Sequence, residues 1–462
     1  MPVSTSPIES IAQSLCRTVK AILRRAIQPG SRLAAIAVYG STIGACTDST
    51  QNSTGKTIRI GTSLPFSGNE TALGQNLEQA ITLALEDVNR AGGINGIPLE
   101  LVSRDSNSGS ERGLMNLLDL LYDESVKYLI GPEENKLANE IASDIRNLDI
   151  LNILPGDAAP STKRASSTGA WLRLAPTPFD VACGLGTHTI AEGTKLANVV
   201  YSLEDYNTSL ATDFRFHFRN MGGDIPSSAL VRPNEDSYQS AINEVNTSKA
   251  TETLLIAYPV TAAKIITEWA LSERRGRWYL SPLLYSEMFL QNVPYGALEG
   301  AFGLSPTLSL NSECELLDGY DSGPIHCSHE NADRFVQHYV DRWDGVHPSS
   351  TAHFYYDGIV LLAMALQYAV ATQGSIPRSK EVHRLIRFLN QSKNEPAYWD
   401  NIESAMIKLT AGKAVRYVGA AASYEFDEFG VAKHRTFDSW SVQDNTFREN
   451  GVYYASCFDP DK

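Results

Sequence analysis

Residues 58–106 read IRIGTSLPFSGNETALGQNLEQAITLALEDVNRAGGINGIPLELVSRDS, and this stretch decides the fold. Its opening residues, 58–63, alternate apolar and polar side chains, the period-two pattern of a strand. Pro65 to Gly68 supplies a turn. From Leu73 to Ala91 the apolar residues Leu77, Ala80, Ile81, Ala84, Leu85 and Val88 recur at helical spacing, and Gly92-Gly93 ends the run as a helix stop. Residues 99–102 return to strand character. Strand, helix and strand in this order make a βαβ unit, whose two strands lie parallel.

The same unit repeats outward. The pattern predicts a helix over 113–124, a short buried strand over 128–130, a helix over 135–147 and a strand over 151–154. A second series starts after Arg173-Leu174-Ala175-Pro176. Helices predicted over 179–192, 209–221, 238–246 and 261–272 alternate there with strands over 197–202, 228–231, 253–257 and 278–280. Such alternation predicts α/β architecture, with parallel sheets covered by helices on both faces. Two series predict two doubly wound lobes. Ligands of such sheets bind beyond the C-terminal ends of the strands, so the residues just after each strand are the first candidates for function.

Composition agrees. The chain has 462 residues, of which 43% are apolar and 20% charged, with a formal net charge of −14. Those proportions exclude a disordered, collagen-like or disulfide-framework protein. The acidic balance argues against nucleic acid as partner, since phosphates are bound by clustered Lys and Arg. No run of eighteen or more uncharged apolar residues occurs, so no transmembrane helix is predicted.

Residues 1–45 differ from the rest. Arg17, Lys20, Arg24, Arg25 and Arg32 stand against one acid, Glu9, and precede the apolar run LAAIAVYGSTI at 33–43. A basic stretch, a short apolar stretch and small residues are the layout of an export signal. Ile43-Gly44-Ala45-Cys46 also resembles the bacterial lipoprotein signature. There the Cys accepts lipid on its thiol and becomes the new N-terminus, so Cys46 is the expected lipidation site. A plain signal peptide is the alternative. Residues 46–56 are polar and suit a tether. With Thr47 directly after Cys46, the resemblance points to a periplasmic protein anchored at the outer membrane.

Four cysteines remain beyond Cys16 and Cys46, at positions 183, 314, 327 and 457. Cys314 and Cys327 bracket a polar loop, and an oxidising compartment permits a disulfide between them. Two free thiols are the alternative.

Through the blocks at 58–68 and 84–106 and those that follow them, the chain resembles the type I periplasmic solute-binding proteins, specifically the branched-chain amino-acid (Leu/Ile/Val-binding) receptor family of ABC transporters. The resemblance is carried by 58–68, by 84–106, by YLIGP (128–132), LNILPG (151–156) and RLAPTPFD (173–180). It continues through NMGGDI (220–225), FVQHYVDRWDGVHPS (335–349), YYDGIVLLAMALQYA (355–369) and YEFDEFG (424–430). It implies two lobes joined by three crossovers, near Pro176, near Ser305-Pro306 and near Gly419. One lobe would comprise 57–175 and 306–418, the other 176–305 and 419–455, leaving 456–462 as a tail. A cleft between such lobes can close on a small solute. The implied partners are a small polar solute, an ABC permease and, through Cys46, a membrane.

The family's loops also nominate ligand-binding residues. Ser67 follows the first strand. Glu133, Glu134 and Asn135 follow Pro132, and Asp157 and Ala158 follow Gly156, where amino-acid binders of the family place hydroxyl donors for the ligand carboxylate. Carboxylates at these places would repel a ligand carboxylate, which favours a cationic, amide or polyol-like solute. Their other reading is structural: Glu133 and Glu134 open a helix, where acids suit the dipole, and Asp157 is a turn residue. On the second lobe Tyr206 and Tyr258 match the family's aromatic positions. Leu283 stands where an acid receives the ammonium group, with Tyr285 and Glu287 nearby. Tyr258 is equally a packed core aromatic, and Asp357 reads as a helix brace.

Enzyme signatures are missing. Gly55-Lys56-Thr57 lacks the earlier glycine and the strand of a phosphate loop. There is no His-Glu-x-x-His, Gly-x-Ser-x-Gly or Cys-x-x-Cys. His326, Cys327, His329 and Glu330 form a donor cluster that could take Zn²⁺ with Cys314, but a disulfide hairpin is the better reading. No catalysis, metal or cofactor is therefore expected. The alternative to import is a ligand-sensing or scaffold lipoprotein with a diverged pocket.

Overall fold

The chain divides into Met1–Gly55 and Lys56–Lys462, and everything described below belongs to the second unit. The structure, a computed structural model, describes residues 57–456 except 69, 125, 133–136, 138–140, 142–144, 146–147, 157–169, 273–275 and 311–321. Cys46, Glu133, Glu134, Asn135, Asp157, Ala158 and Cys314 lie outside the described residues.

The first lobe opens with β1 (Ile58–Leu64), α1 (Thr71–Arg90), β2 (Leu99–Asp105), α2 (Ser110–Tyr122), β3 (Tyr128–Ile130), β4 (Leu151–Leu154) and β5 (Trp171–Arg173). Their strands form a parallel sheet in the order β2-β1-β3-β4-β5. The chain then enters the second lobe through α3 (Pro178–Ala191), β6 (Ala197–Ser202), α4 (Asp205–Asn220), β7 (Ser228–Val231), α5 (Gln239–Thr247), β8 (Glu252–Ile256), α6 (Pro259–Ala270), β9 (Arg277–Leu280), α7 (Glu287–Gln291) and β10 (Phe302–Pro306). Beyond it lie β11 (Gly323–Ile325), α8 (Glu330–Arg342), α9 (Ser350–Gln373), α10 (Ser379–Leu389), β12 (Glu395–Tyr398), α11 (Ile402–Thr410), β13 (Val415–Val418), β14 (Thr436–Gln443) and β15 (Thr446–Tyr454).

The second sheet runs β11-β15-β14-β10-β9-β8-β6-β7. It is parallel from β7 to β10, as the alternation predicts, but β14, β15 and β11 extend it with antiparallel partners. The β14–β15 hairpin turns through Asp444 and Asn445, both at positive φ (51° and 54°), the geometry of a two-residue hairpin turn.

Both sheets are covered on both faces. On the first, α1, α8, α9 and α10 bury the largest core cluster, with Ile60, Leu77, Ile130, Ile153, Phe335 and Ile359 among its residues. Leu117, Leu120, Leu137, Ile141 and Trp171 pack the opposite face. On the second, α3 and α4 bury Phe214, Phe218 and Phe437 on one side, while α5, α6 and α7 bury Ile242, Ile266, Phe289 and Trp440 on the other. Helix α9 is long and apolar enough to cross a membrane, yet 83% of its most apolar window is buried. It is the central core helix of the first lobe, and Asp357 interrupts its apolar run.

Asp357 is fully buried and accepts four bonds of 2.8 Å, from the hydroxyls of Tyr417 and Tyr424 and the backbone N–H groups of Ala420 and Ala421. The chain after β13 therefore folds down onto this carboxylate. A Cβ on Gly419 would stand 2.2 Å from Asp357 Oδ2, so only glycine fits there. This brace alters the third crossover. Ala420, Ala421, Tyr424 and Ala432 remain in the first lobe's core, and the chain joins the second sheet at Thr436, beyond the expected passage near Gly419.

Candidate functional site

Three chain segments cross between the lobes, and hydrogen bonds join them side by side. Arg173 donates its N–H to Gly430 O at 2.9 Å and receives Ala432 N–H at 3.0 Å. His434 Nε2 lies 2.6 Å from Leu174 O, and Thr307 N–H reaches Thr436 O at 3.1 Å. Pro176 and Pro178 flank the first crossing, whose residue Thr177 forms a reciprocal cap with Asp180 and starts α3 abruptly. These segments form the floor of an interlobe cavity of about 340 Å³.

The lining divides into three walls. Pro155 and Gly156, just after β4, join Ser350, Thr351 and Phe354 from the start of α9 on the first lobe. Val181, Tyr206, Pro282, Leu283 and Tyr285 form the second lobe's wall. Ala175, Pro176, Ser305, Pro306, Leu308 and Asp438 form the floor. Ser349 caps α9 by accepting Ala352 N–H at 3.2 Å, and its own N–H is held by Asn76 Oδ1 at 2.8 Å, which fixes Ser350 and Thr351 at the cavity edge.

Tyr285 is held by aromatic contacts. Its ring stacks on Trp440 with centroids 4.9 Å apart, and Phe447 lies 4.8 Å away. Trp440 Nε1 donates to Ser305 Oγ at 3.0 Å, tying this cluster to the floor. Burial, then the charges of Glu449 and Asp438, push the Tyr285 hydroxyl above its ordinary range.

Asp438 is the one charged side chain on the cavity lining among the described residues. Its Oδ1 accepts from Thr307 Oγ1 and pairs with His329 Nε2, both at 2.8 Å. The bond that His329 donates to Asp438 raises its imidazole above the ordinary value, against the opposing effect of burial. Oδ2 takes no hydrogen bond from the described residues.

Of the residues nominated from sequence, the structure brings Tyr206 and Tyr285 together on one wall. Leu283, at the position where the resemblance expects an acid, lines the same wall. Glu287 sits in the first turn of α7, behind the Ser286 cap. Tyr258 precedes Pro259 at the end of β8, 42% exposed and off the cavity lining. Ser67 Oγ donates to Asp105 Oδ2 at 2.6 Å with Asn107 Oδ1 at 2.7 Å, so its hydroxyl serves the β1–β2 loops. Phe354, Thr351 and Asp438 were not nominated. A signal existed only for the first two, in the Pro-Ser-Ser-Thr helix start at 348–351.

The donor cluster resolves differently. His329 is committed to Asp438, and Cys327 is disulfide-bonded, which removes the thiolate a metal needs. Among the described residues no group of three or more His, Cys, Asp or Glu side chains could hold a metal ion. Cys183 is also disulfide-bonded, which the sequence reading did not anticipate.

Two lobes, three crossings and a lined cavity define a bilobal binding protein. The chain belongs to the periplasmic binding protein family, whose model matches residues 57–392. Membership implies an extracytoplasmic location. Among curated relatives, the chemotactic signal transduction system substrate-binding protein BasB of Halobacterium salinarum is 24% identical over 50% of this chain and 57% of its own length. The Leu/Ile/Val-binding protein homolog 1 of Brucella abortus is 24% identical over 32% of this chain and 36% of its own. The chain thus spans little more than half of these relatives, or less. Its fold matches the substrate-binding protein LivJ of Streptococcus pneumoniae, in complex with isoleucine, with a TM-score of 0.62 at 16% identity, covering 87% of this chain and all of that one. It also matches a solute-binding protein of R. palustris in complex with benzoate, with a TM-score of 0.62 at 17% identity, covering 88% and 98%.

Proposed function

We propose that this protein captures a small polar solute, amino-acid-like, amide or cationic, between its lobes and presents it to an ABC permease, without catalysing a reaction. The observation that carries this reading is the cavity of about 340 Å³ with walls from both lobes and a floor made of the crossing segments. Its size suits a small ligand. Closure about the crossings would exclude water and strengthen each bond to the guest. Family membership and the disulfide-bonded Cys183 and Cys327 support an oxidising, extracytoplasmic setting.

The lipoprotein signature at 43–46 supports anchoring through Cys46, at the outer membrane. Glu133, Glu134 and Asp157 after the strand ends would add acids to the cleft and favour amides or cations. From the family resemblance the lobes are taken as 57–175 with 306–418 and 176–305 with 419–455, a division that the Asp357 brace shifts toward Thr436 at its last boundary and that β11 departs from by pairing within the second sheet.

A thermal-shift screen of amino acids, amides, polyamines and sugars tests the reading, because a ligand that binds only the folded state raises the melting temperature by mass action. A saturable shift with one class is expected, and silence across the screen contradicts it. Replacement of Cys46 by Ser should release the protein from membranes, and unchanged retention would count against acylation.

A second reading, a ligand sensor without a transporter, is favoured by one observation: BasB is named for a chemotactic signal transduction system. Membrane-extract pull-down separates the two, a permease supporting import and a receptor or kinase supporting sensing.

A further inference from the structure

The cavity lining has a chemical asymmetry that narrows the guest. Its described lining is mostly apolar: Leu283, Pro282 and Phe354 on the walls and Leu308 on the floor face the space with the rings of Tyr206 and Tyr285. A polyol or a fully polar polyamine would leave such surfaces dry against its own polar groups, which costs binding free energy. An apolar or aromatic body matches them.

Against this apolar surround stands one charged group among the described residues, Asp438, on the floor. It does not sit on a loop after a strand. It sits inside β14, opposite Ser305 of β10, where the second lobe's sheet meets the crossings. Thr307 and His329 both bind Oδ1, which fixes the carboxylate plane and leaves Oδ2 for another donor. No Lys or Arg is on the described lining, and Glu449 adds negative charge at the Tyr285 hydroxyl, 3.5 Å away. His329 offsets part of the Asp438 charge through Oδ1, so an anionic guest would be repelled chiefly at Oδ2, whereas a protonated amine would gain a charge-assisted bond there in a partly desolvated site.

Resting on the solute-binding reading above, we infer that the guest is an apolar-bodied or aromatic amine whose protonated nitrogen is received by Asp438 on the hinge floor. Asp438 is then a specificity-determining residue distinct from the loop positions that receive the ligand in amino-acid binders of this fold. The aromatic wall of Tyr206 and Tyr285 takes the body, and the Ser350 and Thr351 hydroxyls take any further polar group.

The test is calorimetric titration of the full chain with three probes of matched body: 2-phenylethylamine, 2-phenylethanol and 3-phenylpropanoate. The amine is expected to bind, the alcohol about tenfold more weakly, and the carboxylate weakest. Asp438→Asn should reduce amine affinity about tenfold or more and leave the alcohol unchanged. Thr307→Val removes a bond to Asp438 while keeping its charge, and should keep amine affinity within about threefold, separating recognition from local packing. Preference for 3-phenylpropanoate, or an Asp438→Asn protein that binds the amine undiminished, overturns the inference while solute binding stands. Silence with all three probes, when another class gives a shift in the screen, overturns it too. Silence everywhere overturns both readings.

Discussion

Tyr285 and Trp440 stack across the edge of the cleft, with centroids 4.9 Å apart and planes at 29°. Trp440 is fully buried and Tyr285 is 38% exposed, so one ring anchors and the other faces the guest. Truncating the pair should separate stability from binding. Trp440→Ala removes a buried indole and its bond to Ser305, and should cost about 3–5 kcal/mol in urea unfolding. Tyr285→Ala should cost about 1 kcal/mol of stability yet weaken ligand binding about tenfold. Equal stability losses, or unchanged binding in Tyr285→Ala, would contradict this division.

Asp357 predicts a different loss. Its four donors come from Tyr417, Ala420, Ala421 and Tyr424. Asp357→Ala strands two tyrosine hydroxyls and two backbone N–H groups in a dry core, and should destabilise by about 3–5 kcal/mol. Because the carboxylate holds the chain leading into the third crossing, amide exchange at 419–424 should rise more than exchange in β1. Uniform exchange would argue that the brace is local.

Stability should fall in acid, from about pH 6.5 downward. Burial pushes His217, His353 and His383 each down to about 4, below their unfolded value of about 6.5. Each contribution is therefore fully present above the unfolded value and is lost as pH falls through the folded one. Asp357 acts oppositely, since burial pushes it up to about 6: its contribution is present below the ordinary aspartate range and lost as pH rises through 6. Burial also depresses His188 and His434, while Asp180 and His329 are raised and act with Asp357; the five depressed histidines outnumber the three raised groups, so unfolding free energy should drop by a few kcal/mol, roughly, between neutral pH and pH 4. Urea titrations across that range check it, and a flat or rising profile contradicts it.

Cys183 and Cys327 are both disulfide-bonded. Peptide mapping without reductant should join Cys327 to Cys314, the partner expected from their common loop. It should join Cys183 to Cys457, because Cys183 shares a core cluster with Tyr453 and Ala455, just upstream of Cys457. Alkylation of either Cys183 or Cys327 in the unreduced protein would contradict the assignment.

The βα alternation was legible because each element carries its own periodicity: Ile58 to Leu64, Tyr128 to Ile130 and Ala197 to Ser202 read as strands from local pattern alone. The β14–β15 hairpin carried a legible turn in Asp444-Asn445, but its antiparallel place against β10 depends on the third crossing. The site divided in the same way. Tyr206 and Tyr285 follow strands of one sheet, and the rule that function follows strand ends reaches them. Asp438 lies within a strand, and Phe354 within a helix more than 140 residues after Tyr206 in the chain. Only the exchange of chain between lobes brings them together, and no local pattern encodes that proximity.

The central claim is that a solute is gripped between the lobes at this cavity. The most direct measurement is calorimetric titration of the best ligand from the screen into the native protein and into Thr351→Trp, whose indole would fill the space beside Phe354. The account predicts one saturable site in the native protein. It predicts binding lost in Thr351→Trp with the melting temperature preserved. Undiminished binding by a folded Thr351→Trp protein would place the ligand elsewhere and contradict the account.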